Sequence, residues 1–146
     1  MSVSFSHLGI CVSDLDASLR FYCDGLGFTE AGAHDVGEEF GGLMEVAGVH
    51  LRSRMITKDG VTIELLGFDA PGVTGDGSRR PMNQRGLTHL SLRVEDVEAT
   101  AATIESLGGT VVRSTRTTIP FGESTLDFVY CTDPDGVRVE LMDLGG

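Results

Sequence analysis

Two histidines and two glutamates recur at matching places in this chain, and together those residue types can hold a divalent metal. The segment His7–Ala17 (HLGICVSDLDA) reappears 82 positions later as His89–Ala99 (HLSLRVEDVEA). The segment Asp59–Leu66 (DGVTIELL) reappears 76 positions later as Asp135–Met142 (DGVRVELM). The first repeat carries His7 and His89; the second carries Glu64 and Glu140. Alone, His7 reads as a packed core histidine sharing a face with Val3 and Phe5, and Glu64 as a surface glutamate. His89 and Glu140 raise the same two possibilities, and the matching positions in both copies change the weighing. Two carboxylates brought together without a cation repel, and one keeps its proton at considerable cost. A divalent ion removes that penalty and gives all four residues one purpose. Two imidazoles and two carboxylates without a thiolate suit Zn, Ni, Co, Mn or Fe.

The elements that must position these residues follow from the same duplication, because an internal repeat determines architecture before any single element does. Val3–Val12 alternates and is predicted to be a strand, with Val3, Phe5, His7, Gly9 and Cys11 on one face. Ser13 or Asp14 is suited to cap a helix striped by Leu15, Leu19, Tyr22 and Leu26, and Gly27 suits its left-handed stop. Leu43–Val46, His50–Thr57 and Val61–Phe68 are predicted as three further strands, with Lys58-Asp59-Gly60 turning between the last two. The second half retraces this. Leu87–Val94 is a strand, Val97 to Leu107 a helix, and Thr110–Thr118, Thr125–Tyr130 and Val137–Met142 are strands, with Asp133 to Gly136 turning into the last. Each module is β-α-β-β-β. Residues 3–68 form the first, residues 69–86 a Pro- and Gly-bearing linker or lid, and residues 87–143 the second, within one domain of 146 residues. One helix cannot cover both faces of a four-stranded sheet, so two copies curling together would leave an open trough.

Composition limits the partners. The net charge of −11 argues against nucleic acid or an anionic membrane. No apolar run approaches a membrane span, and no export signal is visible. Cys11, Cys23 and Cys131 lack CxxC spacing and read as reduced thiols of a cytoplasmic protein, with Cys11 and Cys131 packing as small apolar residues. The Gly-rich stretches lack phosphate-loop or dinucleotide spacing, so no nucleotide cofactor is implied.

These elements, with His7 opening the first strand, then Asp14-Leu-Asp, Phe21-Tyr22, Leu26-Gly27-Phe28, Ile63-Glu64-Leu65, Thr88-His89-Leu90, Asp133-Pro-Asp-Gly136 and Val139-Glu140-Leu141, resemble the vicinal oxygen chelate superfamily. Its members include glyoxalases, acyl-CoA epimerases, extradiol dioxygenases and small antibiotic-resistance proteins, and the resemblance covers essentially the whole chain. It implies an α+β fold in which two βαβββ modules form an open, curled mixed sheet. Glyoxalases of this superfamily use His or Gln, Glu, His and Glu as metal ligands, matching His7, Glu64, His89 and Glu140. The resemblance then implies a metal-dependent lyase or isomerase that moves a proton next to a carbonyl through an enediolate or enolate. Glu140 would be the base and Glu64 the second carboxylate returning a proton. A methylmalonyl-CoA epimerase-like activity is an alternative, although such proteins usually carry Gln where Glu64 stands and a base near the position of Leu51 and Arg52. An Fe(II) extradiol dioxygenase would use His7, His89 and Glu140 and leave Glu64 without a ligand role. A metal-free protein that binds a small molecule or antibiotic is a further alternative.

A small-molecule substrate bearing an anion needs a counter-charge in so acidic a chain. Arg52 and Arg54, on one face of the His50–Thr57 strand, or Arg79, Arg80 and Arg85 in the linker, could supply it, although solvated surface arginines are the commoner case. Asp127 could orient a substrate if its side chain faces the trough. A homodimer is the expected assembly.

Overall fold

The computed structural model describes residues 1–146 as two compact units, Met1–Gly75 and Asp76–Gly146. Each unit is built on a four-stranded mixed sheet, and the α+β expectation of two βαβββ modules is met.

In the first unit the order across the sheet is β1 (Leu8–Cys11), β4 (Val61–Ala70), β3 (His50–Lys58) and β2 (Thr29–Val36), with β1 parallel to β4 and the other pairs antiparallel. Between β1 and β2 runs α1 (Leu15–Leu19), continued by a wider π-helical stretch, Arg20–Gly25. Asp14 is the cap, its side chain accepting from the Ala17 N–H at 3.0 Å. That bond satisfies one of the donors a helix start leaves open, typically contributing about 1 kcal/mol. Gly27 ends the helical stretch with φ +77°. Ile10, Val12, Ile56, Ile63 and Leu65 are buried with Leu15, Phe21 and Tyr22. At Gly67 an added Cβ would stand 3.4 Å from Leu15 Cβ, so α1 lies close over this face of β4. Asp59 (φ +51°) and Gly60 (φ +80°) form the two-residue hairpin turn from β3 to β4.

The structure corrects three expectations here. The first strand begins at Leu8 rather than Val3, since its ladder to β4 starts at Leu8↔Ile63; Val3 and Phe5 precede it and are exposed. Leu43–Val46 is not a strand. Gly41–Met44 forms the short helix α2, terminated by Glu45 in the left-handed conformation. The missing strand is instead β2, whose residues are exposed or half-buried throughout. Such an edge strand shows no apolar alternation, because its pairing with β3 and not burial holds it.

In the second unit the order is β5 (Leu90–Arg93), β8 (Arg138–Asp143), β7 (Ser124–Thr132) and β6 (Thr110–Phe121). Helix α3 (Val97–Ser106) repeats the capping of α1, with Asp96 accepting from the Ala99 N–H at 2.9 Å. It buries Val97, Ala101 and Ile104, and the sheet contributes Val129, Cys131, Val139 and Leu141 to the unit's core. Cys131 is packed as expected, and burial pushes its thiol up to about 11; Cys11, in contrast, is exposed. β6 bulges between Val112 and Thr117, where the Thr115 hydroxyl donates to the Val112 carbonyl and accepts from the Tyr130 N–H.

The turn into β8 is tied by Asp133, which is 2% exposed and accepts from the N–H groups of Asp135 and Val137, both at 2.9 Å. Gly136 follows at φ +85°, with the Gly77 carbonyl packed where a Cβ would stand. Asp133→Ala leaves two backbone donors without that acceptor, and we expect it to lower unfolding free energy by about 1–3 kcal/mol, measurable by urea titration. An unchanged midpoint would show that the turn is held by its backbone bonds alone. No helix of the chain is long and apolar enough to cross a membrane.

Candidate metal centre

In the first unit the register Gly9↔Glu64 places Glu64 on the face of the sheet opposite the buried Ile63 and Leu65. His7 sits two residues before Gly9, and its Nε2 lies 3.1 Å from Glu64 Oε2. The other ring nitrogen, Nδ1, is hydrogen-bonded to Ser6 Oγ at 2.8 Å. The other carboxylate oxygen, Oε1, accepts from Ser53 Oγ at 2.6 Å.

The second unit builds the same arrangement from its own copy. His89 Nε2 is 3.5 Å from Glu140 Oε2, and Thr88 Oγ1 is hydrogen-bonded to His89 Nδ1 at 2.9 Å. The supporting serine comes from a different strand. Ser91 on β5, directly opposite Glu140, donates to Glu140 Oε2 at 2.7 Å and contacts Met142 Sδ at 3.0 Å. Glu64 therefore has both oxygens engaged, whereas Glu140 receives His89 and Ser91 on one oxygen. Tyr130, opposite Glu140 on β7, packs edge-on against His89 with ring centroids 5.4 Å apart. The Arg138 guanidinium lies 5.3 Å above the same ring and donates to the Arg80 carbonyl. Burial, and secondarily the nearby Glu140, raises the Tyr130 phenol above its ordinary range.

The donor chemistry fits a metal. A hydroxyl at Nδ1 can donate or accept, so it supports the tautomer that turns the Nε2 lone pair outward. Each carboxylate is 19% exposed and held by a serine, as ligating carboxylates are. Each unit supplies two such donors; neither gathers three His, Cys, Asp or Glu side chains around a point.

Two residues expected near the site lie elsewhere. The register Arg52↔Gly67 puts Arg52 on the helix-covered side of its sheet, opposite to Glu64, where it makes a two-pronged pair with Asp69 at 2.8 and 2.9 Å. That pair holds the Asp69 carboxyl below its usual range. Arg54 shares that side and bonds Asp35. Asp127 is opposite Asp143, on the side of Val129 and Leu141 and away from Glu140, and is held by Arg116, which also pairs with Glu98 of α3. The Arg116 bond is the main reason the Asp127 carboxyl is lowered. Ser53, Ser91 and Tyr130 were not singled out from sequence. Ser91 had a signal, being two residues after His89 in an alternating strand; Ser53 and Tyr130 depend on register between strands.

A family model described as Glyoxalase/Bleomycin resistance protein/Dioxygenase superfamily matches residues 4–141. The chain belongs to this superfamily. A relative from Synechocystis sp., named as a probable lactoylglutathione lyase, is 32% identical over 143 residues, covering 93% of this chain and 92% of its own. The uncharacterized protein YaeR of Escherichia coli is 29% identical over 141 residues, covering 94% and 93%. Among solved structures, a glyoxalase family protein from Bacillus cereus superposes with a TM-score of 0.82 at 21% identity, covering 100% of this chain and 97% of that one. This glyoxalase-superfamily fold thus carries, in each of its two modules, one hydroxyl-supported histidine facing one serine-held glutamate.

Proposed function

We propose that this protein is a metal-dependent lyase or isomerase of glyoxalase type. Its proposed ligands for Zn, Ni, Co, Mn or Fe are His7, Glu64, His89 and Glu140. The observation that carries this is the repetition of hydroxyl, imidazole and carboxylate in both units, with Nε2–Oε2 separations of 3.1 and 3.5 Å. A divalent ion held by this set supplies Lewis acidity to a carbonyl oxygen, easing removal of the proton on the adjacent carbon. Glu140 takes that proton, because Ser91 donates to its Oε2 and leaves Oε1 without a protein donor. Glu64, whose Oε1 accepts from Ser53 while Oε2 faces His7 Nε2, serves as the second carboxylate that returns a proton. Tyr130 packs edge-on against His89 and restricts the orientation of its ring. The similarity to a protein named as a probable lactoylglutathione lyase supports a lyase acting on a thiol adduct of a 2-oxoaldehyde. The protein works as a cytoplasmic homodimer without a nucleotide cofactor.

The test is elemental analysis of the purified protein followed by assays on hemithioacetals of 2-oxoaldehydes and on acyl-CoA thioesters. Near-stoichiometric metal and turnover that stops on chelation, without oxygen uptake, are expected. Iron with oxygen consumption would replace this assignment by a dioxygenase. Tight ligand binding by stripped protein, with no turnover under any metal, would replace it by a sequestration protein.

A further inference from the structure

Arg93 differs from the other strand arginines in having no partner. Arg52 is held by Asp69, Arg54 by Asp35, Arg113 by Glu98 and Glu105, and Arg116 by Glu98 and Asp127. Arg138 is fastened to the Arg80 carbonyl. In a chain with 22 acidic residues and 11 basic ones, an exposed strand cation without a carboxylate is the exception. Its place is informative. Ser91 pairs with Glu140 and Arg93 with Met142, so alternation puts Arg93 on the same face as Ser91 and Glu140. The step from Ser91 to Arg93 is about 6.6 Å along the strand. The first copy shows that the fold does not demand a cation here: in the equivalent register, Cys11 pairs with Leu66.

We propose that Arg93 binds the anionic end of the substrate and makes the site select small carbonyl compounds bearing an oxyanion. The strand spacing sets Arg93 one step of about 6.6 Å beyond Ser91, the residue that holds Glu140. This rests on the metal-dependent function above. The planar guanidinium suits a carboxylate, sulfonate or phosphate through two parallel N–H bonds, which a partnered arginine could not offer. Arg93 is a specificity residue and takes no part in the proton transfer. The merely structural alternative is a charge that protects the edge strand β5 from pairing with another chain, and such a charge would be indifferent to the ligand.

The experiment compares two chelating probes by calorimetry on zinc-loaded protein: butanedioic acid monohydroxamate, with a carboxylate tail, and neutral butanohydroxamate. The native chain should bind the anionic probe about tenfold more tightly, a preference that added salt reduces. Arg93→Gln should abolish the preference and leave the neutral probe's affinity unchanged, while Arg93→Lys should restore part of it. A preference that persists in Arg93→Gln overturns the proposal. Metal-stripped protein titrated with succinate, read by NMR of arginine side-chain N–H signals, separates this from the metal assignment. If neither hydroxamate binds, the metal assignment falls. A succinate-dependent shift lost in Arg93→Gln then supports the anion site, and no shift overturns it.

Discussion

Glu140→Ala is expected to fold normally and to bind a divalent metal at least about a hundredfold more weakly than the native chain, since losing even an outer-shell partner commonly costs 10–100-fold. The substitution removes one of two carboxylates from the proposed donor set and leaves two imidazoles and Glu64. It also frees Ser91, whose hydroxyl then keeps only its contact with Met142. Stability should change little, because Glu140 lies on the open side of β8 while its neighbours Val139 and Leu141 are fully buried on the other. Competition with a chromophoric chelator reads the affinity, and thermal unfolding of the stripped proteins reads the fold. Glu64→Ala should move in the same direction. Native affinity in both variants would sink the four-ligand centre and return the two pairs to ordinary histidine–carboxylate contacts.

One residue further along β8 the expected effect reverses. Leu141→Ala should cost about 2–5 kcal/mol of stability, the range for emptying a fully buried leucine site, and lower the unfolding temperature by roughly 10 °C. Leu141 is 0% exposed and pairs with Val129 and Leu92 in adjacent strands, on the face that α3 covers with Val97, Ala101 and Ile104. The cavity cannot be filled by Glu140 or Met142, which point to the other side of the sheet. Below its unfolding transition the variant should retain native metal affinity. A near-native unfolding temperature would mean that α3 does not pack against this face as described. Together the two substitutions separate chemistry from stability on adjacent residues of one strand.

The duplication, the candidate donor residues and most of the element order are legible in the residues alone. His7, Glu64, His89 and Glu140 were legible because the two copies sit in register, and identical residues at equivalent places are visible without any fold. The caps at Asp14 and Asp96, the stop at Gly27 and the turn at Asp133 were also local, because each is made within a few residues of itself. Which side chains share a face depends on the strand registers. Arg52 and Asp127 looked like substrate residues, and the registers Arg52↔Gly67 and Asp127↔Asp143 turned both toward the helix side. Strand parity changes sign with a shift of a single residue, and no local pattern fixes where a ladder begins or where a bulge such as that between Val112 and Thr117 falls. β2 escaped notice for the related reason that an edge strand open to water needs no apolar alternation. The support of Glu64 by Ser53 belongs to this second class as well. It joins residues 11 apart through the pairing of β3 with β4, and that pairing exists only once the sheet has formed.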